Sequence, residues 1–188
     1  MKKAIFFDRD GVLNEVVDRG YNFFVQGKKV RFTAPFNYSE FHLKSGLFEL
    51  LEAIGKLGYL RILATNQPDI AYGTMTPMEH ERIMTEVKKL PLDDIYICPH
   101  GRNDGCLCKK PLPGMLLDAA KKWEIDLSSS YLVGDTKSDL EAAKAAGVRS
   151  VIVSDGRNYD LKPEVRIENL FSILDIISGN KLDEKEKF

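Results

Sequence analysis

The sequence predicts an α/β protein with a Rossmann-like, doubly wound and mainly parallel sheet. Two observations predict it. Short apolar runs bounded by polar residues fall at 3–7, 60–64, 95–98, 131–133 and 150–153, as strands buried on both faces do. Stretches with a helical apolar repeat separate most of these runs, and strand–helix alternation requires a parallel sheet with helices on both faces.

Each element has its own local reason. Leu47, Leu50, Leu51, Ile54 and Leu57 fall on one helical face, with Ser45 as the expected N-cap and Gly58 as the stop. Thr76-Pro77-Met78-Glu79 reads as a capping box with proline in the first turn, opening a helix to about residue 90. Leu116, Ala119, Ala120 and Trp123 form the stripe of a third helix, which assigns Trp123 to the core. A short alanine-rich helix is expected at 138–146, ended by Gly147, and a last one at about 167–177. Residues 14–43 fit neither period: they are rich in aromatic and basic side chains and too long for a plain connection. The final stretch, 180–188, carries six charges in nine residues and is expected to fray into solvent. There is no internal repeat and no low-complexity segment, so the expected organisation is a single domain over 1–179 in which 14–45 is an insertion.

Composition narrows the function classes. The chain has 188 residues, 27 Lys plus Arg against 28 Asp plus Glu, and a net charge of −1, without the positive field that nucleic acids and membrane surfaces attract. No apolar run approaches the ~20 residues that span a bilayer, and the run after Lys2-Lys3 is too short for a signal peptide. Three cysteines make no closed disulfide framework, so a reducing, cytoplasmic setting is expected.

In a parallel sheet, ligands collect at the carboxyl ends of the strands. The first strand ends in Asp8-Arg9-Asp10-Gly11. Such a tetrapeptide also serves ordinary turns; read as chemistry, one carboxylate attacks phosphorus and the other, two residues on, acts as acid and base at the leaving oxygen. The second strand ends in Thr65-Asn66-Gln67, a polar turn or three uncharged donors that hold a phosphoryl oxygen. Lys109-Lys110-Pro111 offers cations that neutralise phosphate charge. The fourth strand ends in Gly134-Asp135, with Asp139 four residues on. Four carboxylates at one sheet edge repel one another, and a hard divalent cation such as Mg²⁺ relieves that repulsion; Asp135 is the expected ligand and Asp139 a supporting residue. All three cysteines lie with His100 between Cys98 and Cys108. Cys98, His100, Cys106 and Cys108 suit tetrahedral zinc, and four protein ligands leave no open position, so the loop 98–108 reads as a structural clip. His42 and His80 read as ordinary surface or packing residues.

The order of these signals, Asp8/Asp10, Thr65, Lys110, Asp135/Asp139, resembles the four motifs of the haloacid dehalogenase (HAD) superfamily. Asp10 looks like the acid/base of its phosphatases and mutases, where its ATPases usually carry threonine. The cysteine–histidine loop running into Lys110-Pro111-Leu112-Pro113-Gly114-Met115 is similar to the zinc-loop phosphatases acting on heptose bisphosphates, with histidinol-phosphate phosphatases as close relatives. The resemblance spans about residues 3–155. It implies an Mg²⁺-dependent phosphomonoester hydrolase without a large cap domain, monomeric, with a small sugar phosphate as partner. Asp8 would carry an aspartyl-phosphate and Asp10 would move the protons. Asp8, the Asp10 carbonyl and Asp135 would hold Mg²⁺, and Thr65 and Lys110 would face the equatorial oxygens. Asn66, Gln67 and Lys109 would bind substrate. The chain departs from that pattern where those relatives carry Arg-Lys, here Lys109-Lys110, and Ser-Gly, here Pro68-Asp69. Rival readings are a polynucleotide 3′-phosphatase, which needs a basic groove, and a phospho-receiver, which needs neither Asp10 nor a zinc clip.

Overall fold

The computed structural model describes residues 1–179; the expected charged tail lies outside them. Its central sheet is built from β1 (Lys3–Phe7), β6 (Tyr59–Asn66), β7 (Asp94–Cys98), β8 (Tyr131–Gly134), β9 (Arg149–Val153) and β10 (Val165–Ile167). The spatial order is β10-β9-β8-β1-β6-β7 and every neighbouring pair is parallel. After β1 the chain goes to β6 and β7 on one side, then returns to lay β8, β9 and β10 on the other. The order therefore reverses between β1 and β8, and at such a switch point a crevice opens at the carboxyl ends of the strands.

Side chains along each strand alternate between two cores. Ile5 and Phe7 of β1 and Leu63 of β6 join the core under α1 (Leu47–Lys56), α3 (Pro77–Val87) and α6 (Ile173–Ser178). Ala4, Phe6, Ile62 and Ala64 face the other core, under α4 (Gly114–Trp123) and α5 (Lys137–Ala146). Burial on both faces is why these strands read as unbroken apolar runs. Trp123 packs partly buried against this second core, its indole N–H donating to Asp94 at 2.7 Å.

Several local expectations need correction. The first helix starts one residue later, on Gly46 in the left-handed conformation, so Ser45 does not cap it. Thr76 caps α3 through the Glu79 amide, but the Glu79 carboxylate does not close the box; it accepts from the Tyr38 amide at 2.5 Å. A complete capping box forms instead at Thr136 and Asp139. The helix expected at about 167–177 is split. Its first residue ends strand β10, Asn169 caps a 3-10 turn at Leu170–Ser172, and only Ile173–Ser178 is α-helical. A short helix, α2 (Asp69–Tyr72), follows β6 where none was expected.

The stretch after β1 contains two small antiparallel pairs, β2 (Val17–Asp18) with β5 (Phe32–Thr33) and β3 (Phe24–Val25) with β4 (Lys28–Lys29). Arg19 holds it together: its guanidinium meets both Glu40 oxygens at 2.7 and 2.6 Å, donates to Thr33 at 2.9 Å and lies 4.1 Å from the Phe36 ring centre. Glu79 of α3 ties this insertion to the sheet's flank, and the insertion leans over the switch-point crevice.

Candidate active site

Asp8 is the first residue beyond β1, and its amide donates to the Val133 carbonyl at 2.9 Å, which fixes it beside the end of β8. Asp135 follows β8. Between them the chain must be thin: Gly11 has φ +85°, and a Cβ there would lie 2.2 Å from the Asp135 carboxylate. Carboxylate oxygens of Asp8, Asp135 and Asp139 all lie within 4.8 Å of one another. Lys110 completes this cluster, its ammonium 3.0 Å from Asp8 and 2.5 Å from Asp139. Both Asp139 oxygens are engaged, since the other one accepts from the Thr136 amide and hydroxyl.

Burial and like charge set the electrostatics. Burial pushes the Asp8 carboxyl up to about 6, with Lys110 pulling the other way. Burial, then Asp8 and Asp139, push Asp135 up to about 8. Burial alone would lower the Lys110 ammonium, but Asp139 and Asp8 outweigh it and hold it above the ordinary lysine range. One oxygen of Asp135 accepts from Arg157 at 3.1 Å; the other is buried with no hydrogen-bond partner. An orphaned carboxylate oxygen beside a second carboxylate fits a hard, oxygen-loving cation, and the donor set of Asp8 and Asp135 matches magnesium.

Asp10 sits at the edge of this group, with both oxygens engaged. Arg9 reaches them at 2.9 and 3.1 Å, Asn14 donates at 3.1 Å and Gln67 at 2.7 Å. Arg9 itself is fully buried. Thr65, also fully buried, accepts from Gln67 at 3.0 Å. Asn66 turns toward the Lys110 backbone: its amide donates to the Lys110 carbonyl and its oxygen accepts from the Lys110 amide, both at 2.9 Å. Lys109 donates to the His100 carbonyl at 2.9 Å. Thus Asp8, Lys110, Asp135 and Asp139 meet directly, while Thr65 and Asp10 are linked to each other through Gln67 beside them.

A cavity of about 380 Å³ opens above this floor. Asp8, Asp10, Asn66, Lys110 and Asp135 line its base; Val16, Val25, Val30 and Phe32 of the insertion form an apolar wall. Asp69, one of the departures in the sequence, also lines it; its carboxylate accepts from Thr74 at 2.8 Å, and burial raises its pKa. His80 is half-buried near Arg9, and burial followed by that charge lowers its pKa.

The second cluster lies beyond β7. Sγ of Cys98 is 3.6 Å from both Cys106 Sγ and His100 Nδ1, and Cys108 Sγ is 3.3 Å from the same nitrogen. Zinc bonds of ~2.3 Å to sulfur and ~2.1 Å to nitrogen bring tetrahedral ligands to just such mutual distances. Three thiols and one imidazole are a soft set that fits zinc. Among the described residues these are the two groups able to hold a metal.

Residue-by-residue reading missed three members of the site. Arg9 was passed over as the spacer between two acids. Arg157 and its neighbour Asn158, whose amide donates to the Asp135 carbonyl at 2.9 Å, follow strand β9. The strand-end rule applied to the last run, 150–153, would have pointed to both.

Comparison with known proteins bears on this geometry. The HAD-hydrolase-like family matches residues 107–168. D-glycero-beta-D-manno-heptose-1,7-bisphosphate 7-phosphatase of Pasteurella multocida (strain Pm70) is 36 % identical over 198 residues, covering 96 % of this chain and 100 % of its own. The protein of the same name in Helicobacter pylori (strain J99) is 36 % identical over 155 residues, covering 79 % of this chain and 80 % of its own. The crystal structure of D,D-heptose 1,7-bisphosphate phosphatase from B. bronchiseptica, complexed with magnesium and phosphate, superimposes with a TM-score of 0.77. It is 28 % identical and covers 94 % of this chain and 98 % of that one. The chain belongs to the HAD superfamily of phosphatases, in the family of the heptose bisphosphate 7-phosphatases.

Proposed function

We propose that this phosphatase removes the 7-phosphate of D-glycero-β-D-manno-heptose 1,7-bisphosphate by way of an aspartyl-phosphate on Asp8. The observation that carries the reading is the meeting of Asp8, Lys110 and Asp135 at the switch point of a chain related to heptose phosphatases over nearly its whole length.

In the first half-reaction an Asp8 oxygen attacks phosphorus, the bond from phosphorus to the sugar oxygen breaks, and protonated Asp10 delivers its proton to that oxygen. In the second, the Asp10 carboxylate takes a proton from water, the water oxygen attacks phosphorus, and the bond to Asp8 breaks to release phosphate. Arg9, Asn14 and Gln67 fix the orientation of Asp10, so carrying the proton requires one of these acceptor contacts to open. Lys110, held by Asp8 and Asp139, faces the charge that spreads over the equatorial oxygens, and Thr65 adds a neutral donor. Asp8, the Asp10 carbonyl and Asp135 would hold Mg²⁺, which supplies positive charge against the phosphoryl oxygens when bound. Cys98, His100, Cys106 and Cys108 would hold a structural zinc that shapes the rim of the cavity. Asn66 and Gln67 act here mainly as positioning residues, on Lys110 and on Asp10 with Thr65 respectively.

The test is phosphate release, with magnesium, from the β- and α-anomers of the heptose bisphosphate and from histidinol phosphate. The expected result is the highest kcat/KM on the β-anomer, by about tenfold or more, a difference of about 1.4 kcal/mol in transition-state binding. A higher kcat/KM on histidinol phosphate overturns the substrate assignment.

A further inference from the structure

Four carboxylates line the cavity: Asp8, Asp10, Asp69 and Asp135. The reaction above uses three of them and leaves Asp69 without a role. A carboxylate is costly in a cavity that must admit an anion, because it repels every phosphate brought near it. Asp69 is also one of the positions where the chain departs from the pattern of its relatives, and it is buried, only 8 % exposed.

Local structure accounts for half of this side chain. Asp69 opens α2; its carbonyl accepts from the Thr74 and Met75 amides at 3.0 and 3.1 Å, and one carboxylate oxygen accepts from the Thr74 hydroxyl at 2.8 Å. The second carboxylate oxygen accepts no hydrogen bond among the described residues. Its neighbours supply no acceptor in its place. Both ends of the Asn66 amide are taken by the Lys110 backbone, and the Gln67 oxygen is buried. The Asp10 oxygens already meet Arg9, Asn14 and Gln67.

Position says which part of the substrate Asp69 meets. Arg9, Asp10 and Lys109 lie close enough for their charges to act on it. Asp10 delivers its proton to the oxygen that leaves, so the atoms beside Asp10 on the leaving side belong to the sugar and not to the transferred group. In a heptose 7-phosphate the carbon next to the ester carbon is C6, and it carries a hydroxyl. A hydroxyl gives a carboxylate a charge-assisted hydrogen bond, whereas a phosphate offers it only repulsion.

We propose that Asp69 accepts a hydrogen bond from the sugar hydroxyl adjacent to the scissile ester and so selects a hydroxylated leaving group. The assignment rests on the sugar-phosphate reading above. It is tested by steady-state kinetics of the unaltered enzyme, Asp69→Ala and Asp69→Asn on the heptose 1,7-bisphosphate and on its 6-deoxy counterpart, with histidinol phosphate alongside. The unaltered enzyme should favour the 6-hydroxyl substrate about tenfold to a hundredfold in kcat/KM, the worth of a hydrogen bond to a charged group. Asp69→Ala should lose most of that preference, chiefly by losing activity on the 6-hydroxyl substrate. Asp69→Asn keeps an oxygen for Thr74, which preserves the turn if alanine does not, and its preference should fall severalfold. Either variant keeping the full preference, or losing both substrates equally as a merely structural role would have it, overturns the assignment. If the unaltered enzyme turns over the heptose bisphosphate better than histidinol phosphate yet ignores the 6-hydroxyl, the assignment alone fails. If it favours histidinol phosphate, the sugar reading fails and the assignment with it.

Discussion

Asn66 places Lys110 without touching its charge. Two reciprocal hydrogen bonds to the Lys110 backbone fix where the side chain starts, and Asp139 fixes where it ends. Asn66→Ala removes the first constraint only, so kcat should fall about tenfold while the melting temperature stays within a few degrees of the parent. Unchanged kcat would show that Asp139 alone positions the lysine. At this scale the sequence was informative about identity and less so about partners. Asp8, Lys110 and Asp135 stand out because a strand end, a proline and a glycine mark their places. The pairing of Asn66 with Lys110 crosses 44 positions, and that of Asp10 with Gln67 crosses 57, with no local signal of either.

Local periodicity foretold the elements wherever burial was one-sided or complete, and failed where tertiary contacts decide. The strands of the central sheet were legible as apolar runs and α1 as a stripe. The insertion was not, because its two short strand pairs are held by Arg19 stacked on Phe36 and paired with Glu40, 21 residues away. The last helix was read too long because Ile167 suits either period until β9 is seen beside it. The loop 98–108 is the opposite case. It has no regular structure, yet its four candidate ligands stand out by spacing alone, and their ligand atoms lie within 4.8 Å of one another. If zinc holds that loop, Cys106→Ser should lose the metal and lower the melting temperature by about 5–10 °C. Elemental analysis and a thermal scan decide it; full stability in a zinc-free protein would refute the structural clip.

For the whole molecule, topology does the gathering. A parallel sheet sends every strand end to one edge, and the reversal of order between β1 and β8 opens that edge where Asp8 and Asp135 emerge. No helix among the described residues is long and apolar enough to cross a membrane. Strand–helix alternation predicted the parallel sheet, but strand order, and hence which strand ends are neighbours, came only with the structure. The central claim is that this gathering makes Asp8 the acceptor of the phosphoryl group. It is tested most directly by acid-quenching the enzyme during turnover of the heptose bisphosphate, reducing with borohydride and mapping the peptides by mass spectrometry. Reduction of the acyl phosphate should convert Asp8, and no other carboxylate, to homoserine, and Asp8→Asn should lose both the modification and turnover, by a factor on the order of 10³ or more. Modification at another residue, or turnover persisting in Asp8→Asn, would contradict the account.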